Sequence, residues 1–143
     1  MMTKDEFLKE AKVLAKQYGY QIYVKKLDGV GGLHYLHDKT IIVHKFRDRD
    51  SFIFCLAHEL SHMILANTGK LKKLHGTGIY RRYFQIGTRQ AAINTVKDER
   101  KVDEYAKKLI AKITGKKSTH RGCYSGSINK SADFILEYWS AYR

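Results

Sequence analysis

An α+β fold, with a small antiparallel or mixed sheet packed on helices, is what this sequence predicts. Three observations point to it. Strand-like segments cluster between Gln21 and His44. Helical spacing recurs in four other stretches. Their order is helix, small sheet, helix, loop, helix, loop, helix, which keeps the sheet apart from the later helices instead of alternating with them.

The first helix spans Thr3 to Tyr18. Thr3 and Glu6 form a capping box, and Phe7, Leu8, Ala11, Leu14, Ala15 and Tyr18 repeat at helical spacing. Gly19 ends it. Gln21 to Leu27 alternates and is rich in β-formers, so it reads as a strand. Asp28 to Gly32 is a turn. Leu33 to Leu36 and Thr40 to His44 form a hairpin around His37, Asp38 and Lys39. Asp50 or Ser51 caps an amphipathic helix running to Ala66. Residues 67–90 are rich in glycine and bases and read as loop, with a short strand near Tyr83 to Ile86. A long helix covers Gln90 to Thr114 and stops at Gly115. A polar loop follows over 116–130. Ser131 caps a last helix, Ala132 to Tyr142, with Phe134, Ile135, Tyr138 and Trp139 on its apolar face.

Composition narrows the class of protein. The 143 residues suit one domain, 1–143, with a real core. Apolar residues at 43% and charged residues at 29% are globular values, which argues against disorder. Two cysteines cannot make a disulfide scaffold, and Cys55, in an apolar run, reads as a small core residue. No apolar stretch approaches the roughly 18 residues a membrane span needs. The N-terminal MMTKDEFLKEAK is amphipathic and contains acids, unlike an apolar signal region. A cytoplasmic location, with no membrane partner, is the expectation.

The net charge is +13, and its distribution matters more than its size. No acid lies between Glu59 and Asp98, where Lys70, Lys72, Lys73, Arg81, Arg82, Arg89 and Lys97 fall. None lies between Glu104 and Asp133 either, where Lys107, Lys108, Lys112, Lys116, Lys117, Arg121 and Lys130 fall. Such tracts suit a polyanion or an acidic partner, Lys70, Lys72, Lys73, Arg81 and Arg82 being the candidate contacts. Ordinary solvated surface is the competing reading.

The most informative segment is Cys55-Leu56-Ala57-His58-Glu59-Leu60-Ser61-His62, which contains H-E-x-x-H within a helix. A spacing of four places His58 and His62 one turn apart on one face, where both imidazoles can reach one ion. Glu59 lies about 100° further round, so it addresses a water and not the metal. A zinc hydrolase needs a third protein ligand and an open position. The H-x-x-G-x-x-H extension is excluded, because Leu65 and Thr68 stand where glycine and histidine would be.

The helix 90–114 supplies the third ligand. Its apolar stripe runs Ala92, Val96, Val102, Ala106, Leu109, Ile110, Ile113. Glu99 and Asp103 fall inside that stripe, and Asp98 and Glu104 outside it. Carboxylates on a core-facing stripe are costly unless a positive group meets them. Glu99 is therefore assigned as third ligand to one Zn2+ ion. Asp103, one turn on, is assigned as acceptor for a ligand imidazole. A buried bridge to Lys or Arg is the alternative. His34, His37 and His44 read as structural or surface residues, whose clustering hints at a second metal.

These motifs carry a resemblance. An H-E-x-x-H helix preceded by a strand, then E-x-x-x-D in a later helix, resembles the gluzincin group of zinc peptidases. More closely, it resembles the ImmA/IrrE family of small bacterial and phage metallopeptidases. The matching segments are His34 to His62 and Glu99-Arg-Lys-Val-Asp-Glu-Tyr-Ala106. The chain departs from the family pattern at Lys101, where a second Glu usually stands, at Val102 in place of Ala, and in lacking the closing proline. Lys101 projects roughly opposite Glu99, so the metal site should be unaffected.

The resemblance implies a minimal zincin-like domain and a cytoplasmic zinc endopeptidase of regulatory type. Its substrate would be a protein such as a DNA-bound repressor encoded nearby on a phage or other mobile element, cleaved once. Glu59 would be the base. A second donor to the oxyanion is usually needed, and His75, Tyr80, Tyr83 and His120 are candidates among which the sequence does not choose. In zincins the strand before the active-site helix pairs with the substrate backbone, a role that Thr40, Ile41, Ile42, Val43 and His44 fit. Two other readings compete: a SprT-like protease of DNA-associated proteins whose basic loops bind nucleic acid, and a binding or regulatory module that keeps zinc for structure alone. The oligomeric state is left open.

Overall fold

A computed structural model describes residues 1–69, 89–122 and 126–140. The elements are helix α1 (Lys4–Gln17), strands β1 (Gln21–Lys25), β2 (Gly32–Tyr35) and β3 (Thr40–His44), and helices α2 (Arg49–Asn67), α3 (Arg89–Thr114) and α4 (Ile128–Ser140). Among the described residues, four helices and a three-stranded mixed sheet make the α+β fold that the sequence predicts. No described helix is long and apolar enough to cross a membrane.

Helix α1 begins as its sequence dictates. Thr3 Oγ1 accepts from the Glu6 N–H at 3.1 Å, and the Glu6 carboxylate accepts from the Thr3 N–H at 3.2 Å. Such a cap is worth about 1 kcal/mol. Gly19, at φ +78°, carries the chain out of the helix in the left-handed region that glycine tolerates best. Phe7, Ala11 and Ala15 turn inward to the core.

The strand order is β1-β3-β2, with β1 parallel to β3 and β2 antiparallel to it. The hairpin is as expected; the position of its second strand is not. β3 lies in the middle, with Ile41 facing Ile22 on one side and His34 on the other. Its backbone groups are committed to two neighbours. Thr40–His44 therefore cannot be the edge to which a substrate adds; among the described residues the hairpin's outer edge is β2.

Helix α2 differs from expectation in two ways. Asp48 is the cap, accepting from the Ser51 N–H at 2.9 Å and the Ser51 hydroxyl at 2.6 Å, so the helix starts before Asp50 and Ser51. It is also not amphipathic, since every residue from Phe52 to Leu65 is buried. Helix α1, strands β2 and β3, and helix α3 all pack on it. A helix wrapped in this way has no solvent face and no apolar stripe to detect.

Helix α3 packs against α2 along its length and against α4 near its start. There, Ala92 and Val96 meet Ala132 and Ile135. Asp98, expected outside the apolar stripe, is buried with Lys101 Nζ 3.9 Å away. Glu104 is exposed as expected. Helix α4 starts at Ile128, where the Ser127 carbonyl accepts the Ser131 N–H at 3.1 Å; Ser131 is thus inside the helix and not its cap. His75, Tyr80, Tyr83, Lys70, Lys72, Lys73, Arg81, Arg82 and the short strand expected near Tyr83 to Ile86 lie outside the described residues.

Candidate metal centre

The wrapping of α2 forces its polar residues to find partners indoors. His58 is 5% exposed, His62 2% and Glu99 3%, values at which unpaired polar atoms are costly. They meet each other. His58 Nε2 lies 2.7 Å from Glu99 Oε2, His62 Nε2 lies 3.0 Å from the same oxygen, and the two Nε2 atoms are 3.1 Å apart. These three buried residues are close enough to hold a metal ion.

The donor set fits a divalent cation. Ligands at about 2.0–2.1 Å around a tetrahedral ion stand about 3.3 Å apart. The three ligand atoms, now 2.7–3.1 Å apart, need to separate by about half an ångström or less. Two imidazole nitrogens and a carboxylate oxygen also match a donor set that zinc uses where one position stays open.

On the other side of its ring, His58 donates from Nδ1 to Asp103 Oδ1 at 2.7 Å. That bond fixes the orientation in which Nε2 points at His62 and Glu99. A Cβ at residue 122 would lie 2.6 Å from Asp103 Oδ2, so the chain after α3 closes over Asp103 from outside.

Glu59 faces elsewhere, as its place on the helix requires. Its Oε2 accepts from Nδ1–H of His34, on β2, at 2.6 Å. The His34 ring stacks on that of His62 with centroids 4.1 Å apart and planes 19° apart. Sequence reasoning placed His34 among structural or surface residues, and the structure brings it into the cluster. The available signal was strand alternation. His34 and Gly32 share the β2 face opposite Ile41 and Val43, both fully buried. His37 is exposed, and His44 is structural, accepting from the Leu27 N–H at 2.9 Å. His120 is not brought to the cluster: it stacks on Phe54 at 4.2 Å, and its Nδ1 accepts from the Gly122 N–H at 3.0 Å.

A cleft of about 160 Å³ reaches the cluster, lined by Gly29, Val30, Gly31, Gly32, Cys55, His58, Glu59 and Phe134. Phe134, on the α4 face expected to be buried, is 48% exposed there. A larger cavity, of about 380 Å³, opens beside Arg49, Ile110 and Thr114 and touches none of the cluster.

The charges are strongly coupled. Burial disfavours the imidazolium of His58, but Glu99, Asp103 and Glu59 outweigh burial and hold it well above its ordinary 6.5. Burial would raise Glu99, yet His62 and His58 draw it well below 4.5. Burial would also raise Glu59, and His34, with His58 and His62, lowers it instead. Burial pushes His62 down; Glu99 opposes this, His34 and His58 add to it, and the result is about 4. At neutral pH the cluster therefore holds charged His58, neutral His62 and ionised Glu59 and Glu99. A cation would displace the Nε2 proton of His58.

A pH dependence follows for chelator-treated protein. The unfolded chain takes up the His62 proton near 6.5 and the folded one only near 4, so this stabilising contribution is complete above 6.5. It is lost as pH falls through that window, and the difference corresponds to about 3 kcal/mol. Glu99 and Glu59, both lowered, act in the same direction further into acid, whereas the raised His58 loses its contribution on the alkaline side. The urea midpoint should fall between pH 6.5 and 4. A flat midpoint across that range would contradict the assignment.

No family model matches the chain, and neither a curated protein nor a solved structure is significantly similar to it.

Proposed function

We propose that this protein is a zinc-dependent endopeptidase of regulatory type. One observation carries the reading: the cleft reaches Glu59 and His58 beside the cluster of His58, His62 and Glu99. A structural zinc site closes all four positions with protein ligands, whereas a catalytic one keeps three ligands and an approach.

His58, His62 and Glu99 would hold the ion, and Asp103 orients His58. Zinc bound there supplies a Lewis acid that eases deprotonation of a water and polarises a carbonyl. Glu59, ionised and lining the cleft, takes a proton from the attacking water. The water oxygen bonds to the peptide carbonyl carbon. Glu59 then passes the proton to the leaving nitrogen as the C–N bond breaks. The resemblance to the ImmA/IrrE family adds the substrate class: a protein cut at one place, such as a DNA-bound repressor of a phage or mobile element, in the cytoplasm. The basic tracts favour approach to such a complex by electrostatic attraction.

The test is a proteome-derived peptide library incubated with zinc-loaded protein, with and without a chelator. New termini that appear only without chelator support hydrolysis. A folded, zinc-loaded protein that generates none would point to the module that keeps zinc for structure. The metal assignment has its own check. Asp103→Ala should weaken zinc affinity by about 10- to 100-fold, measured by competition with a chromophoric chelator.

A further inference from the structure

We propose that His34 is a positioning residue for Glu59, which makes strand β2 part of the catalytic apparatus; this rests on the endopeptidase reading above. The register of the sheet comes first. Gly32 pairs with Val43 and His34 with Ile41, and both partners are fully buried, so Gly32 and His34 share the face turned to α2. Gly32 sets the separation. A Cβ there would lie 2.7 Å from Glu59 Cγ and 3.0 Å from Glu59 Oε1, closer than real Cβ contacts come. Only glycine lets the strand lie this close to the helix.

Two residues on, the same face delivers the imidazole. A carboxylate can only accept, so Nδ1 of His34 carries the hydrogen in its 2.6 Å bond to Glu59 Oε2. Stacking on His62 fixes the plane of the ring. Its Nε2 is buried with no hydrogen-bond partner among the described residues. An unpaired buried nitrogen is costly, so general polar satisfaction does not explain this histidine. The contact with Glu59 does.

The chemistry explains why it matters. A glutamate has three rotatable side-chain bonds, and a base must present one oxygen to the water it deprotonates. Gly32 limits one side of the carboxylate, and His34 holds Oε2. The other oxygen remains to take the proton. A role for His34 as a cation ligand is the competing possibility, because His34, Glu59 and His62 also offer ligand atoms within 4.8 Å of one another.

The experiment compares His34→Asn, whose amide N–H stands where Nδ1–H stands, with His34→Gln and His34→Phe, which lack a donor there. In zinc-loaded protein, His34→Phe and His34→Gln should lower kcat by about 10- to 100-fold, with KM and zinc stoichiometry unchanged, and His34→Asn should recover most of the loss. A second readout needs no turnover: proton NMR of chelator-treated wild type should show a slowly exchanging His34 Nδ1 proton that disappears in Glu59→Ala. Loss of zinc from the His34 variants would make His34 a ligand and overturn the proposal. So would a change in KM alone, or full activity in His34→Phe. A wild-type protein without hydrolysis removes the endopeptidase reading and this proposal with it, whereas full activity in His34→Phe removes this proposal alone.

Discussion

Glu59→Gln should leave a folded protein that binds zinc as wild type does and hydrolyses its substrate about 10²- to 10⁴-fold more slowly. The separation follows from geometry. Glu59 is absent from the cluster of His58, His62 and Glu99, so the ion keeps its ligands when the carboxylate becomes an amide. An amide still accepts from His34 Nδ1–H, so the local packing also survives. Only the capacity to take a proton is lost. The decisive measurement is the appearance of new termini in the peptide library described above, together with zinc content. Equal cleavage by both proteins would remove Glu59 from the mechanism. Loss of zinc would make it a ligand.

Glu99→Gln should have the larger effect on the folded state. The substitution removes the negative charge that faces both His58 and His62 while preserving volume. Zinc stoichiometry should fall well below one ion per chain, because an amide oxygen is a poor ligand beside two imidazoles. Chelator-treated protein should also lose stability. His58 is 5% exposed, and its imidazolium depends on Glu99 and Asp103. Removing one partner of a buried pair typically costs about 3–5 kcal/mol. Relief comes as His58 gives up its proton, so the deficit should shrink as pH rises. Zinc analysis and urea unfolding at two pH values read both effects. A variant that keeps its zinc would place the third ligand elsewhere.

Local chemistry was legible in the sequence wherever a signal is confined to neighbouring residues. The Thr3–Glu6 box gave the start of α1, and the β-branched run Thr40-Ile41-Ile42-Val43 gave β3 its place in the chain. Glu99 and Asp103 were legible because helical phase alone puts them on the buried side of α3. What failed was long-range. The place of β3 between β1 and β2 depends on a parallel pairing that no hairpin signal encodes. The all-round burial of α2 has the same kind of cause, since four elements supplied from both sides of it in sequence cover it. The contact of His34 with Glu59 was not legible because the two stand 25 positions apart on different elements. The phase of His34 within the strand was readable, but what lay across from it was not.

The all-round burial of α2 has a consequence for how such a protein diversifies. The helix that carries both imidazoles and Glu59 offers no neutral position between Phe52 and Leu65, because every change there is felt in a packed interior. Under the proposed activity, selectivity for a new substrate would be set by the other walls of the cleft: residues 29–32 and the exposed ring of Phe134. Libraries aimed at altered selectivity belong at those walls, and saturation of α2 should return inactive chains.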